Sequence, residues 1–215
     1  MTHVLLYVPN IIGYIRITFA GIAFANIMNP LYFFVCYSIS YLLDATDGHF
    51  ARKLHQTSQF GAMLDMMTDR GCTILLLVNL SHLYPDMRAY FISMALLDIV
   101  SHWLQMTSSI ISGATSHKGK AHNENWLVSL YYRSQVSLFM IVFWAELFNM
   151  LCYLFYFYPQ IKAIMWVKVL YIISVLVFHF KQVISVAQLH GSVLRYLKYS
   201  EKKMEEDKAI KDKTN

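Results

Sequence analysis

"LDATDGHFARKLHQTSQFGAMLDMMTDR", residues 43–70, sets Asp44, Asp47, Asp65 and Asp69 between two long apolar stretches. Carboxylates beside a bilayer are costly unless something neutralises them. Asp44 and Asp47 are three residues apart and share a helix face, which Gly48, Ala51 and Arg52 continue at i+4, i+7 and i+8 from Asp44. Gly61, Asp65 and Asp69 step by four and form one stripe on the next helix. The short connection makes the two helices antiparallel neighbours, so the stripes are expected to meet in one pocket.

Composition sets the surroundings of that pocket. Of 215 residues, 57% are hydrophobic and 14% charged, and there are 15 Tyr and 14 Phe. A soluble domain carries about 25% charged residues, whereas aromatic residues suit the edges of membrane spans. The expectation is an all-α integral membrane protein. Stretches of about 20 apolar residues predict six transmembrane helices at roughly 11–28, 31–52, 61–83, 89–112, 134–157 and 162–188. Pro9, Pro30, Pro85 and Pro159 all fall before or between these spans, as a residue without an N–H should. Residues 1–190 form the membrane domain, and 191–215 a charged cytosolic tail. The opening "MTHVLLYVPN" lacks the basic start and cleavage site of a secretory signal, so it is expected to be retained, with "HVLLYV" as a short interfacial helix.

Lys and Arg in short loops set the orientation. Arg52 and Lys53 follow span two, Lys118, Lys120 and Arg133 follow span four, and Arg195 to Lys213 lie in the tail. Both termini and the acidic connection are therefore expected on the cytosolic side. The net charge of +5 belongs to that membrane face. No basic stripe interleaved with base-stacking aromatics accompanies it, which argues against nucleic acid. Cys36, Cys72 and Cys152 stand in apolar segments without metal-ligand spacing and read as inert packing residues.

Four carboxylates in one pocket would take up protons or push the helices apart. Hard divalent cations resolve the conflict: an oxygen-only donor set suits Mg²⁺, Mn²⁺ or Ca²⁺, and four aspartates can hold two ions. Gly48 and Ala51 leave room for a ligand against the backbone, and Arg52 supplies a cation for phosphate oxygens. The bland alternative is a juxtamembrane salt network with Arg52, Lys53 and Arg70. It fits Asp44 and Asp47 poorly, because a helix C-terminus disfavours anions.

The spacing D-x2-D-G-x2-A-R-x8-G-x3-D-x3-D, carried by Asp44, Asp47, Gly48, Ala51, Arg52, Gly61, Asp65 and Asp69, resembles the signature of the CDP-alcohol phosphotransferases at every specified position. "LYVPNIIGYIR" (6–16), "SHW" (101–103), "SHK" (116–118) and "YLFYF" (153–157) further resemble the members whose acceptor is inositol. The resemblance implies transfer of the phosphatidyl group of CDP-diacylglycerol to myo-inositol with release of CMP, aided by two Mg²⁺ or Mn²⁺ ions. It implies that Asp44 and Asp65 touch both metals, Asp47 one and Asp69 the other, and that Asp69 is the catalytic base. Gly48, Ala51, Arg52 and Ser58 are implied as contacts of the CDP end. It also implies a homodimer and an endoplasmic reticulum membrane.

Asn10 and Arg16 belong to the family-like stretch of span one. For Arg16, contact with the donor or the aspartates and a packing role stand level. His117, Lys118 and Arg133 face the expected acceptor entrance and are candidate inositol contacts, against solvated loop charge as the alternative. Asp98, Ser101 and His102 share one face of span four, where an internal partner for Asp98 is favoured over catalysis. Two competing functions remain: the same transfer to glycerol 3-phosphate, serine or choline, and a cation carrier lined by the intramembrane acids.

Overall fold

The computed structural model describes residues 2–111 and 134–214. Its elements are α1 (Thr2–Leu5), α2 (Val8–Ala25), α3 (Pro30–Lys53), α4 (Gln59–Leu83), a 3-10 turn (Pro85–Met87), α5 (Arg88–Ile111), α6 (Gln135–Phe157), a second 3-10 turn (Pro159–Ala163) and α7 (Met165–Thr214). All regular secondary structure among the described residues is helical, and a long helix stands at each of the six expected spans. The last helix extends well past its expected span: α7 runs for 50 residues and carries the charged tail as continuous helix. Lys, Glu and Met are good helix formers, so nothing in the tail's composition stops it.

The prolines start elements. Pro30, Pro85 and Pro159 each lie in the first turn of their helix, and Pro9 in the first turn of α2, where a missing N–H costs nothing. Asn29 caps α3 by accepting from the Tyr32 amide, and Ser58 caps α4 by accepting from the Gly61 amide at 2.9 Å.

Of these helices, Val8–Ala25, Val136–Phe157 and the apolar part of α7 are long and apolar enough to cross a membrane. α3 and α4, with 24 and 25 residues, reach about 36 Å at ~1.5 Å per residue. That exceeds the ~30 Å of a bilayer core, but each carries two of the four aspartates. Burial follows a membrane logic as well. α7 buries Ser174, Lys181, Gln182, Ser185, Gln188 and Ser192, while Leu176, Val183 and Val186 face outward. A helix in water does the reverse.

The chain forms two compact units, Met1–Ile92 with Asn149–Ile164, and Ser93–Phe148 with Met165–Asn215. In the first, α2, α3 and α4 pack together, and the Tyr153 hydroxyl donates to the Ile27 carbonyl at 2.5 Å beside a Phe33–Tyr153 ring contact. In the second, Phe148 packs against Phe178 with ring centroids 4.5 Å apart. Cys36, Cys72 and Cys152 are free thiols.

Candidate functional site

The site grows from the face that α2 turns inward. Its buried residues are Pro9, Asn10, Gly13, Arg16, Ala20 and Ala23, a stripe at helical spacing in which most side chains are small. Small residues let α2 approach its neighbours closely; a Cβ at Gly13 would stand 2.9 Å from Leu64 Cδ2. Within that stripe Arg16 is the one long side chain, and it is 2% exposed.

Its guanidinium is the centre of the acidic cluster. Nη1 donates to Asp47 Oδ2 at 2.5 Å and to Asp65 Oδ1 at 2.9 Å. Nη2 pairs with Asp44 Oδ1 at 2.6 Å and donates to Asp69 Oδ1. The Arg16 carbonyl in turn accepts from Ser40 Oγ of α3 at 3.0 Å. Four aspartates from two helices thus meet one cation from a third. Asp47 is nearly enclosed, whereas Asp44, Asp65 and Asp69 keep 27–31% of their side chains open. A second guanidinium, Arg70, lies 3.8 Å from Asp69 Oδ2.

Asp44, Asp47 and Asp65 each offer an oxygen within 4.8 Å of the others, a spacing that could hold a metal ion. The donor set is hard and carries no sulfur or imidazole, as Mg²⁺ or Mn²⁺ requires. A guanidinium bound in their midst also demonstrates that the pocket accepts positive charge.

The connection between α3 and α4 is tightly built. The Gln56 amide donates to the Ala51 carbonyl and the His55 amide to that of Arg52, the paired bonds of a Schellman ending. His55 takes the left-handed position at φ 53°. Gln56 Oε1 accepts the Val8 amide at 2.9 Å, satisfying a donor at the start of α2 that has no partner within its own helix. The connection is thereby tied to the helix that delivers Arg16.

Other predicted residues fall into place around this centre. Arg52 is exposed and folds back over Gly48, where an added Cβ would lie 3.4 Å from its Nη1. Ala51 stands on the same helix, half-buried. Ser58 Oγ is engaged in capping α4. Asn10 is buried and donates to the Val4 carbonyl at 2.6 Å; its Oδ1 leaves no room for a side chain at Gly61, whose Cβ would approach to 2.8 Å. Both have local structural work in this arrangement. His117, Lys118 and Arg133 lie outside the described residues.

For Arg16 the geometry selects the aspartate cluster over simple packing. The sequence did not indicate that one residue reaches all four carboxylates, nor that Gln56 ties the connection to α2. The signal for Arg16 was an arginine amid apolar residues, a cation that needs acids nearby. In the second unit, Asp98 has the internal partner expected of it, Lys181 of α7, and its carbonyl accepts from Ser101 Oγ at 3.1 Å.

A family model described as CDP-alcohol phosphatidyltransferase matches residues 6–180. The chain is 48% identical over 164 residues to a CDP-diacylglycerol–inositol 3-phosphatidyltransferase of Homo sapiens, covering 72% of this chain and 73% of that protein. Proteins of the same name from Saccharomyces cerevisiae and Candida albicans are 42% and 39% identical over 193 residues. Each match covers 89% of this chain, with 86% and 82% of the relatives' own length. No solved structure matches the chain.

Proposed function

The chain belongs to the CDP-alcohol phosphatidyltransferase family, and on that premise we propose that it makes phosphatidylinositol from CDP-diacylglycerol and myo-inositol, releasing CMP. The observation that carries the proposal is the convergence of Asp44, Asp47, Asp65 and Asp69 on one small, partly open pocket. The relatives' shared name supports inositol as the acceptor.

In this reading Asp44, Asp47, Asp65 and Asp69 would hold two Mg²⁺ or Mn²⁺ ions, with Asp44 and Asp65 shared between them. When bound, the ions would offset charge on the diphosphate and on the departing CMP. An inositol hydroxyl oxygen attacks the phosphorus that bears diacylglycerol, and the bond from that phosphorus to the oxygen of CMP breaks. The hydroxyl proton passes to Asp69. An aspartate is a weak base for an alcohol, so the transfer comes late, when the attacking oxygen is already acidified by its bond to phosphorus. Gly48 gives the CDP end room against the backbone, and exposed Arg52 meets its phosphate oxygens. Ala51 lines the same face, and Ser58 is a further contact of the connection.

The six long helices are proposed to cross the bilayer, with both termini and the site facing cytosol and the endoplasmic reticulum as the membrane. The donor then enters sideways from lipid and the acceptor from water. A homodimer rests on family likeness.

The test is CMP release by the full chain in nanodiscs with CDP-diacylglycerol, Mn²⁺ or Mg²⁺ and each acceptor separately. Release that needs inositol and a dication is expected. Release with glycerol 3-phosphate, serine or choline, but not inositol, overturns the acceptor; metal flux through liposomes without CMP formation overturns the enzyme.

A further inference from the structure

Arg16 has five N–H donors; Nη1 donates to Asp47 and Asp65 and Nη2 to Asp69, while Nη2 is also ion-paired with Asp44. The fifth, on Nε, is buried without a partner among the described residues. A buried donor left unsatisfied is costly, so this placement is held by the acids and not by its fit to the surrounding helix. Four carboxylates face two guanidiniums, Arg16 at their centre and Arg70 at the edge beside Asp69. The acids outnumber the cations, so the pocket remains attractive to further positive charge.

A dication bound to Asp44, Asp47 and Asp65 would use the carboxylates that Arg16 now holds. It would also lie within a few ångströms of the guanidinium. In a buried site of low effective dielectric, two cations that close repel strongly. Resting on the metal-site reading above, we infer that Arg16 is a built-in counter-cation of the metal-free site, and that metals bind by displacing its guanidinium from the carboxylates. Arg16 and dications are competitors for one set of oxygens.

The inference gives Arg16 two effects of opposite sign. It keeps α2, α3 and α4 together before metal arrives, since four bare carboxylates would drive the latter two apart. It also weakens metal binding, because each ion must first break charge-assisted hydrogen bonds. Once released, the planar fork is suited to phosphate oxygens. Four carboxylates balanced by two dications then leave the guanidinium as one surplus positive charge facing a diphosphate.

The experiment compares wild type, Arg16→Gln and Arg16→Lys as full chains in phosphatidylcholine nanodiscs, without substrate. Mn²⁺ uptake is followed by the loss of the free-ion EPR signal, and stability by thermal unfolding with and without Mn²⁺. Arg16→Gln is expected to bind Mn²⁺ about tenfold more tightly or better, the size of an ordinary coupling between competing ligands. Its metal-free form is expected to unfold at lower temperature than wild type, with Mn²⁺ closing the gap. Arg16→Lys, with a point charge that cannot span four acids, falls between. Unchanged or weaker Mn²⁺ binding by Arg16→Gln overturns the inference. So does a stability loss that Mn²⁺ fails to close, including failure to recover folded protein when Mn²⁺ is present throughout purification. If wild type itself takes up no Mn²⁺, the metal-site reading falls and takes this inference with it. Uptake by wild type with no gain in Arg16→Gln removes the counter-cation role alone.

Discussion

Asp98 and Lys181 in the second unit are 0% and 4% exposed and form a direct ion pair, with His102 Nδ1 3.8 Å from the same Asp98 oxygen. In the first unit four aspartates gather around Arg16, with Arg70 only at the edge beside Asp69, and three of them keep more than a quarter of their side chains open. Both arrangements put charge on long helices. Their balance differs, and so does what each can do. A matched pair sealed from solvent offers a ligand no access and acts between α5 and α7 as a fastening. A mismatched cluster with open oxygens holds unspent attraction for cations, which is what a metal-assisted site must store. Charge balance and access, more than the presence of buried acids, separate a working site from a structural one.

Substitutions in the mismatched cluster should have the largest effect on turnover. Asp69→Asn keeps the size and polarity of the side chain and removes its ability to take a proton. Loss of a general base costs about 10²–10⁴-fold, so CMP release should fall by at least about 100-fold while much of the Mn²⁺ and CDP-diacylglycerol binding persists. Asp44→Ala, which removes a carboxylate proposed to serve both ions, should lose binding and turnover together. A near wild-type rate for Asp69→Asn would remove it as the base.

In the matched pair the consequence is expected in stability. Lys181→Met leaves the Asp98 carboxylate buried without its lysine partner, with His102 Nδ1 3.8 Å from it, a loss of about 3–5 kcal/mol for a broken buried pair. Adding Asp98→Leu removes the stranded charge as well, and much of the loss should return, because well-packed apolar side chains often replace a buried ion pair without penalty. Thermal unfolding of the single and double variants checks this. A double variant as unstable as Lys181→Met would mean that the pair does more than fasten two helices.

How far each region could be read from sequence follows the same division. The spacing of the aspartates made a shared pocket legible, because helical periodicity puts Asp44 with Asp47, and Asp65 with Asp69, on single faces. The partners were harder to see. Arg16 lies 28 residues before Asp44 and Lys181 lies 83 after Asp98, and periodicity within one helix says nothing of which neighbour faces it. Gly61 illustrates the limit. Its place in the motif was visible, but its reason, the Asn10 side chain against its Cα, depends on packing between helices. Gly61→Ala should therefore cost about 1–3 kcal/mol, as overpacking does, and lower the yield of active enzyme. Gly21→Ala, where an added Cβ meets nothing within 4 Å, is the matched control and should be neutral or slightly stabilising, since Ala favours helix by about 1 kcal/mol. Equal behaviour of the two would break this account of the motif glycine.

The smallest effect is expected between the two acidic stripes, at the turn that brings them together. His55 occupies a left-handed backbone position, φ 53°, at the point where α3 ends in a Schellman motif. Glycine is the usual occupant there because a Cβ is strained in that conformation, by roughly 1–2 kcal/mol. Glycine recovers that strain but gives back part of it through the greater freedom of the unfolded chain. His55→Gly should then raise stability by up to about 1 kcal/mol, read as a modest increase in unfolding temperature, with CMP release within about twofold of wild type. His55→Val should move the other way, since a β-branched side chain tolerates this region least. If His55→Gly lowers stability, or slows turnover by much more than twofold, the imidazole must make a contribution beyond closing the turn. The connection would then belong with the mismatched cluster as part of the working site.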